Sequence, residues 1–126
     1  MELSHLAAAL GEAMDVVEDD GALTVTHDGT VASLRVVTIG EGLDLVSLTQ
    51  PLAWDLKLDN EIRDRVTVHA GTTMLGTVVL VERTADTADV MLRYNFPATG
   101  LGDDALRTLI MLVLATGADV RADLTS

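Results

Sequence analysis

The most regular hydrophobic pattern of the chain lies near its C-terminus. Apolar or small residues recur there at helical spacing and fall on one narrow stripe at about 100° per residue. They are Leu106, Leu109, Ile110, Val113, Gly117, Val120 and Leu124. The pattern predicts one helix from about Asp103 to about Leu124, with a sheet packed on the stripe. Gly117 would either let helix and sheet approach closely or end the helix early as a C-cap.

The same helix carries apolar residues away from its stripe. Met111, Leu112 and Ala115 point to the other side, where an ordinary surface helix carries charged residues. The apolar run over residues 109–115 is far too short for a membrane span, which needs about 20 residues. We therefore expect protein to cover this second surface. The cover is either a partner or dimer mate, or other segments of the same chain.

A second helical stripe is found at the N-terminus. It consists of Leu3, Leu6, Ala7, Leu10, Met14 and Val17. The spacing predicts an amphipathic helix with Ser4 as its N-cap and Glu18-Asp19-Asp20-Gly21 as its end. Alternating apolar and polar residues then predict three strands of an antiparallel meander, at residues 23–26, 31–39 and 43–49. Asp28-Gly29 supplies the tight turn between the first two of them.

The middle of the chain is harder to assign. We expect Pro51 to end the strand ladder because proline cannot donate a ladder hydrogen bond. Residues 52–58 alternate again and predict either a short edge strand or an extended crossing segment. Residues 60–70 carry apolar side chains about four positions apart, which favours a helix capped by Asp59 or Asn60. The rival interpretation takes Val66 and Val68 as strand alternation.

Residues 75–83 and 90–96 predict two further strands, so the full order can be written out. It is a helix, a three-stranded antiparallel meander, a helix, two strands and a long C-terminal helix packed on the sheet. This order predicts an α+β fold in a single domain of residues 1–126.

Two strand residues join the candidate partner surface. Trp54 is either core packed under the meander or an exposed anchor for a partner. Met91 shares a strand face with Arg93 and Asn95, and this face is either ordinary solvated sheet or a lip of the binding surface.

The charge balance limits the possible partners. Lys and Arg total 8 against 20 Asp and Glu, a net charge of −12. Duplex binding and anionic membranes both require basic residues, so we expect neither nucleic acid nor membrane as a partner. A basic peptide or protein remains compatible with this charge. The chain has no cysteine and no signal-peptide pattern at its start, so we expect a cytoplasmic protein without disulfides.

No pattern predicts catalysis, a metal site or a cofactor. Gly71 and Gly76 have the spacing of a phosphate loop, but Thr77 stands where lysine is required. None of the three histidines has a second ligand at metal-binding spacing. These histidines are His5, His27 and His69. We therefore expect a protein that is not an enzyme.

The closing strand and helix carry a family resemblance, in the segments Tyr94-Asn95-Phe96-Pro97 and Asp104-Ala105-Leu106 to Gly117-Ala118-Asp119-Val120. Together with the order of elements, they resemble the YbjN-type domains, which are similar in fold to type III secretion chaperones. The resemblance covers nearly the whole chain. It implies a small α+β domain, usually dimeric, that binds peptide or protein segments and has no catalytic residues to carry over.

The sequence therefore predicts a non-enzymatic, chaperone-like module that acts as a homodimer and binds a peptide or protein client. Its candidate surface consists of Met111, Leu112, Ala115, Met91 and Trp54. The alternative is a small regulatory or sensor domain that binds an apolar small molecule in an aliphatic cavity.

Overall fold

A computed structural model describes all residues from Met1 to Ser126. Its elements are α1 (Leu3–Gly11), β1 (Asp15–Asp19), β2 (Ala22–His27), β3 (Thr30–Gly40), β4 (Leu43–Lys57), α2 (Asn60–Thr72), β5 (Thr77–Glu82), β6 (Thr87–Pro97) and α3 (Asp103–Leu124). The six strands form one antiparallel sheet in the order β1-β2-β3-β4-β6-β5. The α+β architecture and the long C-terminal helix on the sheet are therefore confirmed.

The three helices cover one face of the sheet. α3 contacts β2, β3 and β4, while α1 and α2 lie beside it and contact the β1–β2 side and β5 respectively. The hydrophobic core between these layers is aliphatic except for Phe96, and Leu10, Leu34 and Ile110 are among its residues with no exposed surface. The other face, here called the open face, has no helix over it. It includes the exposed Thr24, Ser33, Arg35, Arg93 and Asn95. No helix is long and apolar enough to cross a membrane.

Gly117 is buried where α3 crosses β4. A Cβ at this position would lie 1.9 Å from Oε1 of Gln50, so any other residue would require the Gln50 side chain to move. Gln50 is fully buried, and its Nε2 donates to Oγ1 of Thr30 at 2.8 Å and to the carbonyl of Leu114 at 3.2 Å. Since α3 continues to Leu124, the close-approach interpretation of Gly117 is confirmed and the C-cap interpretation is wrong.

The N-terminal helix is shorter than predicted. It ends at Gly11, and Asp15–Asp19 forms β1, which pairs with β2. Met14 and Val17 continue the helical spacing by coincidence. The β-branched Val16 and Val17 also suit a strand, and pairing with β2 decides between helix and strand. The residue at the N-cap position is Glu2, which makes no side-chain capping bond, so Ser4 is not the cap.

Pro51 does not end the strand ladder. β4 runs through it for 15 residues, from Leu43 to Lys57. Pro51 pairs with Met91 of β6, and the register shifts on either side of Ala53. The strand continues because β3 has already left β4 at this point, so only the pairing with β6 has to tolerate the proline.

α2 confirms the helical interpretation of residues 60–70. The carboxylate of Asp59 accepts from the backbone N–H of Ile62 at 2.9 Å, which is an N-cap bond. Val66 is buried in the common core, while Val68 is exposed. The two valines therefore lie on opposite sides of a helix, one buried and one exposed.

Candidate functional site

The outer side of α3 exposes apolar side chains at its middle. Leu112 keeps 54% of its surface exposed, Met111 keeps 36%, and Ala115 is exposed as well. The chain's own segments do not cover these three residues, so the alternative of a fully wrapped helix is wrong. Every residue between Arg107 and Asp119 is uncharged. An uncharged stretch of this length on an exposed helix face is unusual for a monomeric surface.

Met74 extends this surface towards α2. It follows the end of α2, is 93% exposed, and lines a shallow concavity with Thr116 of α3. Met74, Met111, Leu112 and Ala115 are called the helical patch below.

Polar side chains at the rim of the helical patch connect α2 with α3. Nε2 of His69 lies 2.7 Å from Oδ2 of Asp123, and Arg65 approaches the other oxygen of the same carboxylate at 3.9 Å. The hydrogen bond with His69 is the main reason that the pKa of Asp123 lies below its usual value. An apolar centre with a polar rim is the usual anatomy of a protein interface.

Two of the three histidines, His5 and His69, contact carboxylates of α3. Nε2 of His5 lies 2.7 Å from Oδ1 of Asp103 and so connects α1 with the start of α3. No group of three or more histidine, aspartate or glutamate side chains is arranged to hold a metal ion.

Trp54 and Met91 lie on the opposite side of the molecule from the helical patch. Trp54 is 57% exposed beside the open face, so its interpretation as core is wrong. Met91 keeps only 9% of its surface exposed, because it lies at the middle of β6 between Pro51 of β4 and Val79 of β5. Met91 is therefore not an exposed lip. Of the five candidate residues, the structure therefore exposes three on α3 and Trp54 beside the open face, and it buries Met91.

A cleft opens beside Trp54 where β3 and β4 separate. Their last pair is Ser33 with Thr49, and beyond it residues 30–32 of β3 pair only with β2. Residues 51–57 of β4 pair only with β6. The cleft between these two free edges has a volume of about 400 Å³. Its lining consists of Thr24, Gly29, Thr30, Val31, Ala32, Ser33, Pro51, Trp54 and Arg121.

A buried carboxylate fixes the part of β4 that carries Trp54. Asp55 has a positive φ of 53°, and its N–H donates to Oδ1 of Asp89 at 2.9 Å. Nε of Arg83 donates to Oδ2 of the same carboxylate at 2.6 Å. These bonds lower the pKa of Asp89, the backbone bond from Asp55 more than the bond from Arg83.

We expect Asp89→Asn to lower the Tm at neutral pH, since an amide has one acceptor oxygen and no charge for these two donors. The folded pKa of Asp89 lies below the unfolded value of about 3.9. Its stabilisation is therefore complete above that value and is lost as the pH falls through the folded pKa. Thermal unfolding of both proteins should show a Tm difference that narrows below about pH 4.

Asp64→Asn is the matched control, because the Asp64 carboxylate is exposed and makes no hydrogen bond. It should leave the Tm unchanged at neutral pH. A Tm difference for Asp89→Asn that stays constant down to strongly acidic pH would contradict the ionic role of Asp89.

Comparison with known proteins identifies the fold. No protein-family model and no curated protein matches the sequence. The crystal structure of YbjN from E. coli, described as "a putative transcription regulator", is similar with a TM-score of 0.67 and 11% sequence identity. The match covers 99% of this chain and 92% of that chain. The chain therefore has the YbjN-type fold that its sequence resembles, and at this identity the likeness concerns the fold.

Proposed function

We propose that this chain is a non-enzymatic, chaperone-like binding module that forms a homodimer through the helical patch and binds a peptide client. The observation that carries the proposal is the exposure of Met111, Leu112 and Ala115 on a charge-free stretch of α3. An exposed apolar patch with a polar rim marks an interaction site. Cytoplasmic location and the lack of a cofactor stay predictions.

A second copy of the chain is the partner that best suits this surface. Thr108 and Ala115 are exposed small residues that flank Leu112 on the same helix face. Small residues allow two helices to approach to about 8–10 Å, and a two-fold axis lets each Leu112 pack against the small residues of the other helix. The absence of charge between Arg107 and Asp119 means that this pairing buries no ion.

Three carboxylates have a shifted pKa. Asp44, Asp89 and Asp123 are the groups whose pKa departs clearly from its usual value, and each pKa is lowered. In this chain the partners are structural, since Asp44 binds the N-terminal amino group and Thr38.

The alternative of an apolar small-molecule ligand gains no support from the cavities. All five concavities open to solvent, and polar residues or glycine form most of each lining. A regulatory role like the one suggested for YbjN would have to act through protein contacts, because a net charge of −12 opposes duplex binding.

Leu112→Asp tests the dimer. Because the two-fold axis places two carboxylates in one apolar interface, we expect the dimer Kd to rise by about 100-fold or more. Sedimentation equilibrium over a range of concentrations measures this change, and circular dichroism checks that the fold is retained. Val17→Asp is the control, since Val17 is an exposed valine on β1, away from α3. A wild-type protein that stays monomeric at about 1 mM would refute the dimer, because its association free energy would then be weaker than about 4 kcal/mol.

A further inference from the structure

Arg121 is a half-buried cation without an anionic partner. Four of the eight basic residues form ion pairs with carboxylates, namely Arg63, Arg65, Arg83 and Arg107. Three others are exposed, namely Arg35, Lys57 and Arg93. Arg121 alone is withdrawn from solvent and unpaired, although the chain contains 20 acidic residues.

The guanidinium of Arg121 faces the cleft between β3 and β4. Its Nη1 donates to the carbonyl of Leu52 at 2.7 Å, and its remaining donors bind no group of the chain. A guanidinium has five N–H donors in a fixed fork that fits a carboxylate. Desolvating such a group is unfavourable unless a counterion is supplied. The cleft therefore offers a place for an anion at its base.

The walls of the cleft fit an extended peptide. Residues 30–32 of β3 and 51–57 of β4 have no strand partner on the sides that face each other. Val31 is the exposed residue of the β3 segment, whereas Thr30 and Ala32 are buried, so Val31 is the point at which an extended peptide can join β3 by strand addition. Val31 and Trp54 are exposed and Pro51 is half-buried, so part of the lining is apolar. Thr24 and Ser33 add polar residues to the same lining.

We propose that this cleft binds the C-terminal end of an extended peptide. Its terminal carboxylate pairs with Arg121, and its last apolar side chain packs on Trp54, Pro51 and Val31. The unpaired segment of β3 is only three residues long and Arg121 lines the same cleft, so an added strand ends inside the cleft, near Arg121. The net charge of −12 disfavours acidic peptides, which leaves a neutral or basic peptide with one terminal carboxylate as the fitting ligand.

The proposal rests on the peptide-binding part of the proposed function and is independent of the dimer. The test uses fluorescent hexapeptides of alternating threonine and valine that begin with lysine and end in leucine or phenylalanine. Each is made as the free acid and as the C-terminal amide, and binding is measured by fluorescence anisotropy. We expect the free acid to bind at least about tenfold more tightly than the amide.

Two variants assign the contacts within the cleft. Arg121→Gln should lower the affinity for the free acid to that for the amide and leave the affinity for the amide unchanged. A general loss of structure would lower both affinities. Trp54→Ala should weaken the acid and the amide alike. Arg93→Gln removes an exposed cation from the open face and should leave the preference for the free acid intact.

Three results would overturn the proposal. The first is equal affinity for the free acid and the amide, and the second is no binding of either peptide. The third is that 4-methylpentanoate competes as strongly as the unlabelled peptide, which would indicate a site for small carboxylic acids. If the protein forms the dimer but binds no peptide, this inference and the proposed binding of a peptide client are both refuted, and the proposed dimer is not. Peptide binding by a strict monomer would refute only the dimer.

Discussion

Gly117→Ala is expected to lower the free energy of unfolding by about 2 kcal/mol, although alanine favours helix over glycine by about 1 kcal/mol. The added Cβ would lie 1.9 Å from Oε1 and 2.5 Å from Cδ of Gln50. Gln50 cannot yield easily, because it is fully buried and its amide is bound to Thr30 and Leu114. Denaturant unfolding of the two proteins measures the difference.

Gly71→Ala is the matched control for this substitution. Gly71 lies in α2, and a Cβ there would meet nothing within 4 Å. Alanine should therefore stabilise the protein by about 0.5–1 kcal/mol. Adding Gln50→Ala to Gly117→Ala should recover part of the lost stability, because it removes the clashing amide. A Gly117→Ala protein as stable as the wild type would contradict the close contact between α3 and β4.

Leu114→Ala is expected to destabilise the protein by about 3 kcal/mol, whereas Leu112→Ala should cost less than about 0.5 kcal/mol in the monomer. The two leucines lie two positions apart on α3, so helix propensity hardly differs. Leu114 is fully buried and Leu112 is 54% exposed. Unfolding at low protein concentration isolates the monomer and measures both values.

Raising the protein concentration extends this comparison to the dimer. If Leu112 lies in a homodimer interface, the stability lost in Leu112→Ala should grow with concentration, since association stabilises only the folded state. The loss in Leu114→Ala should change little. Equal losses for the two variants at low concentration would mean that the orientation of α3 is wrong.

Helix α3 could be predicted from the sequence because its signal is local and long. A period of 3.6 residues holds over the whole of Asp103–Leu124, and the acids Asp103 and Asp104 favour a helix start. The same reasoning failed in α1, where Met14 and Val17 continue the period into a segment that pairs with β2. Strand pairing is a contact with a distant segment, so periodicity alone cannot detect it.

The course of β4 could not be predicted for the same reason. Proline is unfavourable in a ladder, but Pro51 lies where β4 has lost β3 and kept β6. Which neighbour a strand has at each residue depends on the whole sheet. The cleft between β3 and β4 follows from this change of neighbours, so no local pattern pointed to it.

The candidate residues divide along the same line. The outward orientation of Met111, Leu112 and Ala115 follows from helix geometry, and the sequence predicted it. The burial of Met91 depends on the strands beside it, and the sequence left it open. Arg121 was missed because a basic residue in the last turn of a helix is common, and only its surroundings show that it lacks an acid.

The amide of Gln50 has a thermodynamic consequence for the two surfaces. It joins Thr30, which lines the cleft, to the backbone of α3 at Leu114, on the helix that also carries the helical patch. A ligand that displaces Thr30 would perturb its hydrogen bond with Gln50, and through Gln50 it would also perturb the backbone of α3 at Leu114. Such coupling is reciprocal. If ligand binding in the cleft changes the association constant of the dimer by some factor, dimer formation changes the affinity of the cleft for its ligand by the same factor.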